Sequence, residues 1–245
     1  KDWHPFTFRW WETLCRLYTY NEPQFHILHA FELHQPYFSV NQKKLNLLYH
    51  PLHYFRDHPP DMTGSTQQHA EALAYLDRQL SQASAILPEK STVVISADHG
   101  TGVGGHHPTG HIFGYSEEHI HVPLIIRRPG VQAKKLDGLF SFTKIQPMLL
   151  HVFTEGDVDP SLLDGHVVVL REAVYNPLYV NNKELCKNAG ELMEEFAVVI
   201  AKGFKYVRLA RSEKLFRLPD EDTNLAELPE YRDVLHELKG LLMAG

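Results

Sequence analysis

The chain has 245 residues, is 43% hydrophobic and carries a formal net charge of −6, its 24 basic residues scattered along the whole length. A chain of this size buries on the order of 70–75% of its unfolded surface, so it can hold a true core. The dispersed positive charge lacks the basic stripe of a nucleic-acid binder, which removes nucleic acid as an expected partner. No apolar run reaches the ~20 residues that a membrane-spanning helix requires.

The opening KDWHPFTFRW has neither an initiator Met nor the apolar centre of a signal peptide, so the chain is expected to be cut at its front and the compartment stays open. Cys15 and Cys186 stand alone without CxxC spacing and point to neither a disulfide framework nor a thiolate metal site. Trp11, Leu14 and Leu17 in WWETLCRLYTY (10–20) have helical spacing, closed by Asn21 and Pro23. FHILHAF (25–31) suits an interior strand. Residues 35–64, rich in Pro, Asn, His and Gly, read as a long surface excursion. Ser65 with Gln68 forms a capping box worth ~1 kcal/mol, opening a helix whose apolar face is Leu73, Leu76, Leu80, Ala83 and Leu87 and whose stop is Pro88.

STVVISAD (91–98) is a continuous apolar run, the pattern of a strand covered on both faces in a parallel sheet; HVPLIIRRPG (121–130) and HVVVLRE (166–172) repeat it. Strands alternating with helices in this way predict an α/β chain with a three-layer αβα sandwich. From residue 195 to 220 three β-rich segments follow one another, broken at Gly203 and at Arg211-Ser212, which predicts an antiparallel meander. A helix from about Pro229 to Met243 closes the chain, with Tyr231, Leu235, Leu238 and Leu242 on one side. The expected organisation is a larger α/β domain over 1–180 and a small C-terminal α+β subdomain over 181–245, the seam falling near 175–195.

Six of the 17 histidines (His99, His106, His107, His111, His119 and His121) fall within 23 residues, a composition associated with metal binding. Asp98-His99 follows the strand 92–97, at the carboxyl end where open α/β sheets bind ligands, and would offer a carboxylate and an imidazole to one cleft. His29, Glu32 and His34 follow the other early strand, and two polar clusters at strand ends are expected to converge. The alternative remains that Asp98 caps a turn and the histidines are solvated. Thr63, Ser65 and Thr66 could present a hydroxyl nucleophile at a helix start, although ordinary capping accounts for them. Tyr37, Tyr54 and Phe55 could stack on a sugar or aryl ring, with packing the competing role.

Several stretches together resemble the sulfatases of the alkaline phosphatase superfamily. FHILHAFELHQPY resembles the segment in which a strand leads to a histidine and a D-P-H-x-P-Y turn, with Glu32 for the usual Asp. TVVISADHG is similar to the S-D-H-G or S-D-N-G strand end, GYSEEHIHVPLIIRRPG to Y-E-E-S-x-R-V-P-L-I-I-x-x-P-G, LLDGHVVV to the D-G-x-S-L turn, and FKYVRLARSEKLFRLPDEDTNLAELPE to the closing block.

The resemblance implies a metal-dependent hydrolase of sulfate esters. The alternatives are a phosphatase, phosphodiesterase or phosphoryl-group transferase of the same superfamily, or a non-catalytic domain that binds metal or anion. It implies Asp98 and His99 as ligands of a divalent ion, Zn, Mn or Ca. His34 would contact or protonate the ester oxygens and His29 would support it. His111 falls where many sulfatases carry a lysine that binds the sulfate group, with His106 and His107 as near alternatives. Glu118 belongs to the loop scaffold, because a carboxylate facing an anionic substrate would repel it. Substrates would be small-molecule or carbohydrate sulfate or phosphate esters; the oligomeric state is left open. A histidine in the lysine's place implies an acid active near neutrality and a rate that falls above about pH 7.5. The family's C-x-P-x-R or S-x-P-x-R nucleophile motif does not occur here: Cys15 precedes RLYTY and Cys186 precedes KNAGE. The resemblance therefore covers the middle and C-terminal part of such a domain.

Overall fold

A computed structural model describes residues 11, 14, 24–34, 37, 63–103, 110–111, 114–173 and 193–244. The chain divides into two compact units, Lys1–Gln132 and Ala133–Gly245.

In the first unit, helix α1 runs Thr63–Ile86 and stops before Pro88. It begins two residues ahead of the expected cap, so Ser65 lies within its first turn; helix ends are the least determined part of a periodic pattern. Ala72, Tyr75 and Ala83 are buried on its inner face, and Leu76 and Leu80 pack beside them against Leu14, Trp11, Leu28 and Ala30. Leu73, by contrast, is half exposed, one position off that stripe. Trp11 and Leu14 are helical as expected, and the Trp11 indole N–H donates to Gln79 Oε1 at 3.3 Å.

Strands β1 (Val93–Ser96) and β2 (Leu124–Arg127) form a two-stranded antiparallel ladder with Val93 opposite Arg127 and Ser96 opposite Leu124, and the short helix α2 (Glu117–Ile120) precedes β2. The expected parallel pairing of these two runs is corrected here. An apolar run shows that a strand is to be covered, but carries no information on partner or direction. Nor does 25–31 carry a ladder: those residues have no strand hydrogen bonds, and Phe25 and Ile27 are 66% and 81% exposed.

In the second unit a 3₁₀ turn (Phe142–Lys144) leads into helix α3 (Ile145–Thr154), and strands β3 (His166–Arg171), β4 (Phe196–Ala201), β5 (Phe204–Arg208) and β6 (Glu213–Arg217) form an antiparallel sheet in chain order. The meander expected over 195–220 is present, joined by the Lys202-Gly203 turn, where both residues take positive φ (50° and 78°) as tight right-twisted hairpins demand. The third apolar run does not continue a parallel sheet; β3 pairs antiparallel with β4, Val168 opposite Val199. Every residue of β4 is buried, which explains why FAVVIA has no polar alternation. Helix α4 (Arg232–Ala244), entered through a 3₁₀ turn at Pro229–Tyr231, buries Leu235 and Leu238 against Val199, Tyr206 and Leu215. The expected seam at 175–195 lies almost wholly outside the described residues. Among the described residues no helix is long and apolar enough to cross a membrane.

Candidate active site

Ala97 ends the strand path of β1, and Asp98 and His99 follow it as an exposed corner in the first unit. Asp98 Oδ1 accepts the His99 backbone N–H at 3.0 Å, while Oδ2 lies 3.6 Å from His99 Nε2. His99 Nδ1 lies 2.8 Å from the Gly100 carbonyl oxygen. That acceptor draws the ring proton to Nδ1, so Nε2 keeps its lone pair and faces the carboxylate side.

The glycines beyond the corner return the chain to it. Gly102 and Gly110 exchange two backbone hydrogen bonds of 2.8 Å, and Gly110 holds φ +83°, open to glycine at no steric cost. The next residue, His111, thereby stacks on His99 with centroids 4.1 Å apart and planes inclined by 23°. His34 arrives from a turn closed by its own N–H to Phe31 O (3.0 Å) and by Tyr37 N–H to its carbonyl (2.8 Å), and its ring lies 5.5 Å from His111. Residues from three separate stretches, His34, Asp98-His99 and His111, thus meet in one place.

The other expected residues fall differently. His29 packs on Phe31 with ring centroids 4.3 Å apart, and Phe31 in turn lies 6.0 Å from His34. His106, His107, Tyr54 and Phe55 lie outside the described residues. Tyr37 is 2% exposed and edge-on to His69 at 5.1 Å, a packing contact that holds a non-glycine residue at φ +59°. Thr66 Oγ1 donates to the Val103 carbonyl at 3.4 Å. His121 pairs with Glu117 at 3.2 Å, and His119 is buried beside Ser116. His119 belongs to the histidine cluster that the sequence displays, whereas nothing local marks Ser116 as its partner. Among the described residues no group of three or more His, Cys, Asp and Glu is arranged to hold a metal ion.

The surroundings of His111 favour its neutral form. Partial burial, then the neighbouring His99 and His34, push its pKa down to about 4, against a smaller upward pull from Asp98. In the metal-free protein the ring is therefore neutral at pH 7. In the metal-free protein, an NMR titration should find the His111 midpoint near 4; a midpoint near the ordinary 6.5 would mean that the ring stands in water. Because the folded value lies below the unfolded one, the contribution of His111 to stability is full above ~6.5 and is lost as pH falls from there towards 4.

The Sulfatase family model matches residues 11–155, more than half of the chain. The chain belongs to the sulfatase family. Solved structures agree on the α/β fold of sulfatases. A Bacteroides thetaiotaomicron protein assigned as a sulfatase superposes with a TM-score of 0.60 at 20% identity, over 79% of this chain and 47% of its own. A 2-O GAG sulfatase gives 0.57 at 21% identity, over 79% and 48%. A phosphonate monoester hydrolase of Agrobacterium radiobacter gives 0.61 at 22%, over 75% and 41%. The sulfatase chain thus spans less than half the length of these structures. No match is found among curated proteins. An open cavity of about 580 Å³ lies in the second unit, lined by Tyr206, Arg208 and Lys239 among others. Within it Lys239 and the Tyr206 hydroxyl both meet Glu213, at 2.7 and 3.1 Å.

Proposed function

We propose that this sulfatase-family chain carries the metal-binding and ester-binding part of a sulfate-ester hydrolase. The meeting of His34 and His111 with the Asp98-His99 corner carries the reading. Asp98 and His99 would hold the divalent ion. Their Oδ2 and Nε2 atoms are 3.6 Å apart, close to the ~3.4 Å between two donors each about 2.1 Å from one tetrahedral ion. The donor pair, one carboxylate and one imidazole, favours a nitrogen-tolerant ion such as Zn or Mn over Ca, which prefers oxygen donors. When bound, such an ion neutralises charge on the non-bridging oxygens of the ester.

Around that ion the chain's own residues orient the substrate. His111, neutral at pH 7 with a pKa of about 4, offers a hydrogen bond to a sulfate oxygen rather than a charge. His34, exposed beside it, hands a proton to the leaving oxygen. His29 acts at one remove, by fixing Phe31 against His34. A phosphate or phosphonate ester is the second reading, favoured by the likeness to a phosphonate monoester hydrolase.

Assays of the metal-loaded protein on p-nitrophenyl sulfate and p-nitrophenyl phosphate separate the readings. In a protein that also carries the nucleophile motif, faster sulfate release is expected, with His34→Ala lowering kcat by ~100-fold or more. Faster phosphate release would establish the second reading. Metal binding without turnover of either ester would leave a binding domain.

A further inference from the structure

The corner that carries Asp98 and His99 is exposed, yet its next residue is clamped. Gly100 N–H donates to the His119 carbonyl oxygen at 2.9 Å. The fit is too close for any side chain: a Cβ on Gly100 would stand 2.1 Å from Glu118 O and 3.0 Å from His119 C. Residue 119 is itself held from its side chain. The His119 ring is 4% exposed, and its Nδ1 lies 2.6 Å from Ser116 Oγ, whose residue is 3% exposed. Gly114 makes room for the ring, since a Cβ there would fall 2.0–2.1 Å from its atoms.

These contacts form one path. Ser116 Oγ holds the His119 ring, the His119 carbonyl holds Gly100 N–H, and the Gly100 carbonyl holds His99 Nδ1 at 2.8 Å. We infer that Ser116 and His119 are a positioning pair that sets the direction of the His99 ring by anchoring Gly100, whose N–H and C=O lie on consecutive peptide groups joined at its Cα. Neither residue touches the proposed ion or ester. Their role is to fix the Gly100 carbonyl that orients His99, an outer contact of the kind whose loss typically weakens metal binding 10–100-fold. The link to metal binding rests on the proposed function above, whereas the coupling of Ser116 to Gly100 does not.

The test combines amide hydrogen exchange at Gly100, measured without metal, with calorimetric titration of Mn²⁺. Ser116→Ala should speed Gly100 exchange about tenfold and weaken Mn²⁺ binding about tenfold. Ser116→Thr keeps the hydroxyl and should restore both. Ser96→Ala is the control: it removes a comparable hydroxyl contact, Ser96 Oγ to Pro123 O at 2.7 Å, and lies off the path, so both readings should stay at wild type. Should Ser116→Ala not fold, His119→Phe keeps the ring volume, loses the nitrogen and should give the same two changes. Unchanged Gly100 exchange in the folded Ala or Phe variant overturns the pairing, as does an equal effect of Ser96→Ala. A wild-type protein that binds no Mn²⁺ overturns the proposed function instead, and Gly100 exchange still decides the pairing.

Discussion

Asp98→Ala and His99→Ala should each weaken Mn²⁺ binding by more than ~100-fold. Loss of an outer-shell partner alone costs 10–100-fold, and a direct ligand contributes more than its supporter. Folding should hardly notice. Side-chain exposure is 74% for Asp98 and 39% for His99, and exposed substitutions away from special features stay within about ±0.5 kcal/mol. The separation of the two quantities is the informative result. If Mn²⁺ affinity in both variants equals wild type, Asp98 merely holds its turn through the His99 amide and the metal assignment is wrong. If affinity and melting temperature fall together, the corner supports the fold rather than a ligand.

The largest effect on stability is expected at Glu221. Its carboxylate pairs with Lys205, a fully buried lysine on β5 between Ile200 of β4 and Phe216 of β6. The ammonium also stands 5.9 Å from the Phe216 ring centroid. Burying two charges costs several kcal/mol each, and attraction repays this only while both are present. Glu221→Gln should therefore destabilise by about 3–5 kcal/mol, because it removes the opposite charge from a fully buried lysine. The double variant Lys205→Met/Glu221→Leu should return to near wild type, since apolar replacement of a whole buried pair is often neutral or better. Urea unfolding of both variants decides the matter; a Glu221→Gln loss under ~1 kcal/mol would mean that water reaches the pair.

Much of the second unit is legible along the chain. Lys202-Gly203 and Arg211-Ser212 separate runs of strand-forming residues, and nearest-neighbour antiparallel pairing is what short turns permit. The stripe Tyr231, Leu235, Leu238 and Leu242 likewise forecasts the inner face of α4. Legibility fails for VVIS and LIIR, whose expected parallel neighbours are an antiparallel pair. It fails for FHILHAF too, where strand-like residues stand exposed without a ladder. In these runs the side chains specify apolar surroundings, while pairing depends on what else the chain brings alongside.

The site divides along the same line. Residue chemistry and position at the ends of apolar runs single out His34, Asp98, His99 and His111, and the order of five motifs points to the sulfatase family, to which the chain belongs. These properties are local: a carboxylate next to an imidazole, a glycine-rich return and an apolar run can each be read within a few residues. Only the tertiary structure decided that His111 stacks on His99 and that its partial burial lowers its pKa, that His34 joins them, and that buried Ser116 and His119 clamp Gly100. Burial and contact between distant stretches arise from chain return, and no local pattern encodes which ring will cover another or take its water away.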